Sequence, residues 1–197
     1  MPTLVQLQAE VYSWTNRPTM SAETTLALRQ AIRAAHKAGK FWRDLAVVQV
    51  TGLALDALQI VDIATQVHAR MRQVAYVKVP DTELYLDPVT IEDQLDHNRL
   101  QKQDIYYGLG GSLAIRAAAP VAAYDIAVYT YPDVAFLSNT ANSTDWIFNE
   151  HQDFVVLHAA STVLALIGEQ EIKSRVDQLM AGALADLRSD NIEVYGR

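Results

Sequence analysis

Glu92, Asp93, Asp96 and His97 form the densest group of potential metal ligands and acid–base residues in the chain. On a helix Asp93 and His97 would share a face at i, i+4, and carboxylate with imidazole suits several divalent ions. No second His-x-x-x-His pair supports them, so the group reads first as a solvated acidic turn. Glu150, His151, Asp153 and His158 make a second polar group. His151 and His158 are two helical turns apart, about 10 Å, too far for one zinc ion. His36 and His68 are isolated in sequence. Arg29, Arg33 and His36 give a small basic face that reads as solvated.

Other routes to chemistry lack their key residues. Gly108-Leu109-Gly110-Gly111-Ser112 is rich in glycine, but a phosphate-binding loop needs a lysine after its last glycine and a helix behind it. Here Ser112 and a strand pattern follow, which predicts a tight β-turn. There is no Gly-x-Ser-x-Gly elbow for a serine nucleophile. There are no cysteines, so disulfides, thiol nucleophiles and cysteine-ligated metals are excluded. Tyr106, Tyr107, Tyr129 and Tyr131 suit half-buried strands and interfaces, whereas a base-stacking platform would interleave Lys and Arg. The expectation is no catalytic residue, no metal site and no cofactor.

The elements that must position these residues fall into helix, then strand, then helix. Thr3-Leu4-Val5-Gln6 has the form of a capping box, and Leu4, Leu7, Val11 and Trp14 follow as one apolar stripe. Asn16-Arg17-Pro18 ends that helix. Ser21 reads as the N-cap of a second helix over about 21–38, with Leu28, Ala31, Ile32 and Ala35 inward and Gly39 just past its end. Short β-branched runs then predict strands at 46–50, 58–63, 74–79, 104–107, 113–116 and 124–131, with a helical turn from Thr90 to Arg99. Val156, Ala159, Ala160, Val163, Leu164 and Ile167 return to helical spacing, and Gly168 breaks it. A last helix carrying Ile172, Val176, Leu179, Leu184 and Leu187 ends near Ser189-Asp190.

Together these predict an α+β fold. Residues 1–40 and 145–190 form a helical bundle around a strand-rich, antiparallel segment over 41–135, all within one domain of 197 residues. Residues 191–197 are expected to be a docking tail. Ile192 and Val194 alternate with Glu193, so an extended tail would present an apolar face, with Tyr195 beside it, to a partner's sheet edge or groove.

Half of the residues are apolar, enough for a sizeable core, and the formal net charge is −7. No lysine/arginine cluster supplies the basic surface that sequence-independent nucleic-acid binding needs. The N-terminus lacks a signal-peptide pattern and no apolar run approaches the ~20 residues of a membrane span, so a soluble protein folded in a reducing compartment is expected.

Several segments, taken in order over most of the chain, resemble the head-to-tail adaptor (connector) proteins of tailed bacteriophages. They are Tyr12-Ser13-Trp14-Thr15-Asn16-Arg17-Pro18, Glu23-Thr24-Thr25-Leu26-Ala27-Leu28-Arg29-Gln30-Ala31, Phe41-Trp42-Arg43-Asp44-Leu45 and Tyr106-Tyr107-Gly108. Ala159 to Gly168 and the closing Leu187-Arg188-Ser189-Asp190-Asn191-Ile192 complete the pattern. The resemblance implies a homo-oligomeric ring, usually of twelve subunits, in the virion neck and assembled in the host cytoplasm. The implied partners are a portal protein, into which the C-terminal end often docks, and a tail or nozzle protein. DNA would pass through the channel without specific binding. From Asp145 onward the chain holds nine acids and four bases, so this part is the first candidate for a channel wall that does not hold phosphate. Two other functions compete: a small metal-dependent enzyme using Glu92, Asp93, Asp96 and His97, and a monomeric binding module using the strand-rich segment.

Overall fold

A computed structural model describes residues 3–51, 58–95, 103–119, 121–131 and 145–195. Its class is α+β, with helices at both ends of the chain and strands between them. The chain divides into two compact units, Met1–Arg43 with Pro132–Arg197, and Asp44–Tyr131. Each has its own apolar core.

The first unit is helical. Helix α1 (Leu4–Thr15) starts at the expected capping box: Thr3 Oγ1 accepts from Gln6 N, and Gln6 Oε1 accepts from Thr3 N at 2.8 Å. Asn16 ends it in the left-handed region at φ 52°, which asparagine tolerates better than most residues. The inward stripe is Leu4, Leu7, Val11 and Thr15. Trp14, expected to be inside, is 39% exposed. The stripe takes its last step at i+4 rather than i+3, and both spacings lie on one helical face.

Helix α2 (Ser21–Lys37) begins one residue earlier than the Ser21 cap implied, with Met20 at the N-cap and no side-chain capping bond. Leu28, Ala31, Ile32 and Ala35 are all buried as expected. Gly39 follows the helix, but its role is steric. A Cβ there would lie 2.9 Å from Phe41 Cζ, so the bare backbone makes room for a buried ring.

Near the other end of the chain come α4 (Trp146–Glu150), α5 (Gln152–Ile167) and α6 (Gln170–Tyr195). Asp145 caps α4, its Oδ1 accepting from Ile147 N at 2.9 Å. Gly168 stops α5 in the left-handed region at φ 79°, and the chain turns back to pair α6 with α5. Val156, Val163 and Val176 are buried in this hairpin, while Ile167 and Leu184 are half-buried against the same core. Ile172 and Leu179 are exposed. The last helix does not end near Ser189-Asp190. Its backbone stays helical through Tyr195, so the extended tail expected over 192–195 is not adopted. Adding residues to an existing helix avoids the cost of nucleation, and no proline or glycine intervenes before Gly196.

The second unit is a pair of four-stranded sheets. One has the order β1 (Leu45–Thr51), β8 (Ala123–Thr130), β3 (Met71–Val79), β4 (Leu84–Tyr85). The other has β2 (Leu58–Asp62), β7 (Ser112–Arg116), β6 (Ile105–Leu109), β5 (Asp87–Pro88). Alternate residues from both fill one core: Tyr124, Ile126 and Val128 with Val77 from the first, Leu113 and Ile115 with Val61 from the second. Pairing is antiparallel as expected, except that Asp87 and Pro88 run parallel to Ile105 and Tyr106. Residues 89–104, including the short helix α3 (Ile91–Leu95), separate these strands, and a crossover of that length permits parallel pairing. The glycine-rich loop is the expected tight turn. Leu109 pairs with Ser112 across Gly110-Gly111, and the positive φ of Gly110 fits a type II′ hairpin.

Candidate functional site

The polar groups that suggested chemistry disperse into structural roles. In the Glu92 group, Thr90 Oγ1 caps α3 by accepting from Asp93 N at 3.1 Å, and the Asp93 carboxylate accepts from the Thr90 hydroxyl. Asp96 and His97 lie outside the described residues. The Glu150 group is divided. Glu150 binds Arg43 at 2.5 Å, and His151 sits edge-on to Trp146 at 5.8 Å. Asp153 is exposed, and His158 lies beside Phe154. Among the described residues no three His, Cys, Asp or Glu side chains converge as a metal site. Tyr106 and Tyr129 are buried, so neither offers an open face for a base.

His36 belongs to the interior and not to a basic face. It is 2% exposed, and its Nε2 lies 2.9 Å from Asp145 Oδ2. Asp145 thus serves two partners, the start of α4 and the α2 imidazole. Trp146 joins this cluster, edge-on to His36 at 6.1 Å and to Phe41 at 5.0 Å. Arg43 lies over both Trp42 and Trp146, at 5.6 and 5.2 Å from their ring centres. The Phe41-Trp42-Arg43 stretch therefore works as a clasp, holding the chain after α2 against α4 through aromatic contact, cation–π attraction and the Glu150 ion pair.

Among the described residues, a groove of about 540 Å³ lies between α1, α5 and α6. Val156 and Leu157 form its apolar floor, with Trp14 and Leu179 exposed at its sides. Gly182 and Ala183 are small enough to leave it open. Three carboxylates edge it: Glu10, Asp153 and Asp186. Glu10 accepts from Gln152 Nε2 at 2.6 and 2.7 Å, while Asp153 and Asp186 join none of the ion pairs among the described residues. The groove is an amphipathic cleft with an acidic rim, suited to an apolar side chain flanked by cations.

Sequence reading missed this groove because three helices contribute to it from positions up to 176 residues apart, Glu10 to Asp186. The available signal was an excess of apolar positions. Trp14 and Leu179 continue stripes that the core does not need, and each shares its surface with an acid, Glu10 one turn from Trp14 and Asp186 two turns from Leu179.

Close to the groove, α5 and α6 are joined by a polar contact. Ser161 Oγ donates to Asp177 Oδ1 at 2.5 Å, and Lys173 pairs with the other carboxylate oxygen. Lys173 first, and then Ser161, hold the Asp177 carboxyl below its ordinary range. Burial pushes His158 below its ordinary 6.5, outweighing the opposing pull of Asp177.

No model of a known protein family matches this chain, and no curated protein matches it. No helix among the described residues is long and apolar enough to cross a membrane.

Proposed function

We propose that the chain is a structural subunit of a tailed-bacteriophage neck, a head-to-tail adaptor. Copies form a ring, as in the family it resembles, where twelve is usual. The ring joins the portal to the tail or nozzle protein and leaves a channel for DNA. Assembly takes place in the host cytoplasm and the finished site is the virion neck. The observation that carries this reading is the acid-edged apolar groove on the helical unit. A surface that exposes Trp14 and Leu179 around an apolar floor costs solvation in a monomer and is repaired when a partner covers it.

Two further features support the reading. The segments that resemble adaptors are positioning residues: Asn16 terminates α1, and Phe41-Trp42-Arg43 clasps α4. The acidic balance of the chain from Asp145 onward suits a wall past which DNA slides. Ile192, Val194 and Tyr195 remain the proposed portal contact, delivered at the end of a long helix.

Electron microscopy of the purified chain, alone and mixed with its cognate portal and nozzle, tests the proposal. Annular particles with a central channel in either sample are expected. A chain that stays monomeric in both samples overturns it.

A further inference from the structure

We infer that the groove between α1, α5 and α6 is filled by α2 of a second copy of the chain. This rests on the ring reading and names the contact that would build it. The exposed side of α2 carries one stripe. Leu26 is 58% exposed, and Arg29 and Arg33 follow at i+3 and i+7, which keeps all three on one helical face. The buried residues Leu28, Ala31, Ile32 and Ala35 occupy the other side. Neither arginine takes part in an ion pair among the described residues.

The stripe and the groove complement each other in polarity and charge. Leu26 supplies an apolar anchor for the floor at Val156 and Leu157, and the two guanidinium groups that follow it, on the side away from Glu23, match Asp153 and Asp186 on the rim. Guanidinium binds carboxylate through paired donors, so these contacts fix orientation as well as attract. The groove itself bears three carboxylates, so two grooves facing each other would repel. The contact instead joins two different surfaces, and the ring reading requires it to be heterologous, since a reciprocal pair of such contacts would close as a two-fold dimer. Each copy offers its α2 to one neighbour and its groove to another, and repetition of one such contact gives a ring when the rotation closes.

Charge reversal in the full-length chain tests this. One variant carries Arg29→Glu with Arg33→Glu, a second carries Asp153→Lys with Asp186→Lys, and a third carries all four substitutions. Sedimentation at several concentrations and two salt levels measures association, with and without the portal, and thermal melting checks folding. Wild type is expected to associate. Each two-site variant should bind its own kind about tenfold more weakly or worse, as loss of close charge pairs implies. The four-site variant, and an equimolar mixture of the two-site variants, should recover most of the association. Failure of both to recover overturns the inference. Wild-type association that none of these changes alters also overturns it, while leaving the ring reading intact. Loss of portal binding with unchanged self-association would give the groove to the portal and overturn it too. A wild type that never associates, even with the portal present, defeats both readings.

Discussion

Asp145 shows how one side chain can join two distant stretches of sequence. Its two oxygens divide between the α4 backbone and His36, with His36 and Asp145 both buried. Asp145→Ala removes the cap and the imidazole's partner together and should cost roughly 2–4 kcal/mol in chemical denaturation, the sum of a lost cap and a buried polar contact. Asp145→Asn keeps an oxygen for Ile147 N and should lose less. His158 acts in the opposite sense because burial favours its neutral form. As pH falls below about 6.5 the unfolded chain takes up this proton first, so the contribution of His158 to stability is present at neutral pH and lost on acidification. Asp177, held low by Lys173 and Ser161, contributes above its ordinary value of 3.8 and loses that contribution as pH falls through its lower folded value. Unfolding measured from pH 7.5 to pH 5 therefore separates the two groups. His158→Gln should flatten the wild-type loss of stability over that span, and an unchanged slope would show that other histidines carry it.

Among the elements, Gly39 is the sharpest case of a residue fixed by its neighbour. Gly39→Ala would drive a methyl group into the Phe41 ring, which is held by Trp146. A loss of about 1–3 kcal/mol in thermal or urea unfolding is expected, the usual penalty for overpacking. Local rules made much of this level legible. The Thr3–Gln6 capping box, the Asn16 stop, the Gly168 break and the Gly110-Gly111 hairpin each depend on residues within a few positions of one another. What escaped was non-local or rested on a choice between neighbouring positions. Met20 replaced Ser21 as the α2 cap, and Thr15 rather than Trp14 faced inward. The His36–Asp145 pair spans 109 residues, and the groove needs three helices. The alternation of Ile192 and Val194 suggested a strand, yet the preceding helix simply continues through Tyr195. Removal of residues 191–197 takes away an end of α6 beyond Leu187, a buried core residue of that helix. The shortened chain should keep its melting temperature within about 2 °C, since the described core residues of α6 reach only to Leu187. It should also bind portal more weakly in a pull-down or by calorimetry. Unfolding of the shortened chain would place this end in the core instead.

At the scale of the whole molecule, the sheet unit is an insertion between two parts of the helical unit. Its first and last strands are partners: Leu45 pairs with Tyr129, and Thr130 Oγ1 donates to the Asp44 carbonyl at 3.3 Å. The chain therefore enters and leaves this unit at neighbouring points, the arrangement that lets one folding unit be inserted in another with little strain. Paired strand residues sit about 5 Å apart, so a linker of about four glycine and serine residues can replace the whole insertion. A chain with residues 44–131 replaced in this way keeps the Arg43–Glu150 pair and the complete helical core. It should show cooperative melting and a helical circular dichroism spectrum. Both halves of the inferred ring contact also remain, since α2 and the groove lie entirely in the helical unit. The excised chain should accordingly associate with the same concentration dependence as the full chain and respond in the same way to Arg29→Glu with Arg33→Glu. A folded but monomeric excised chain, set against an associating full-length protein, would move the ring contact to the sheet unit, where Val47, Ile60 and Tyr85 are exposed.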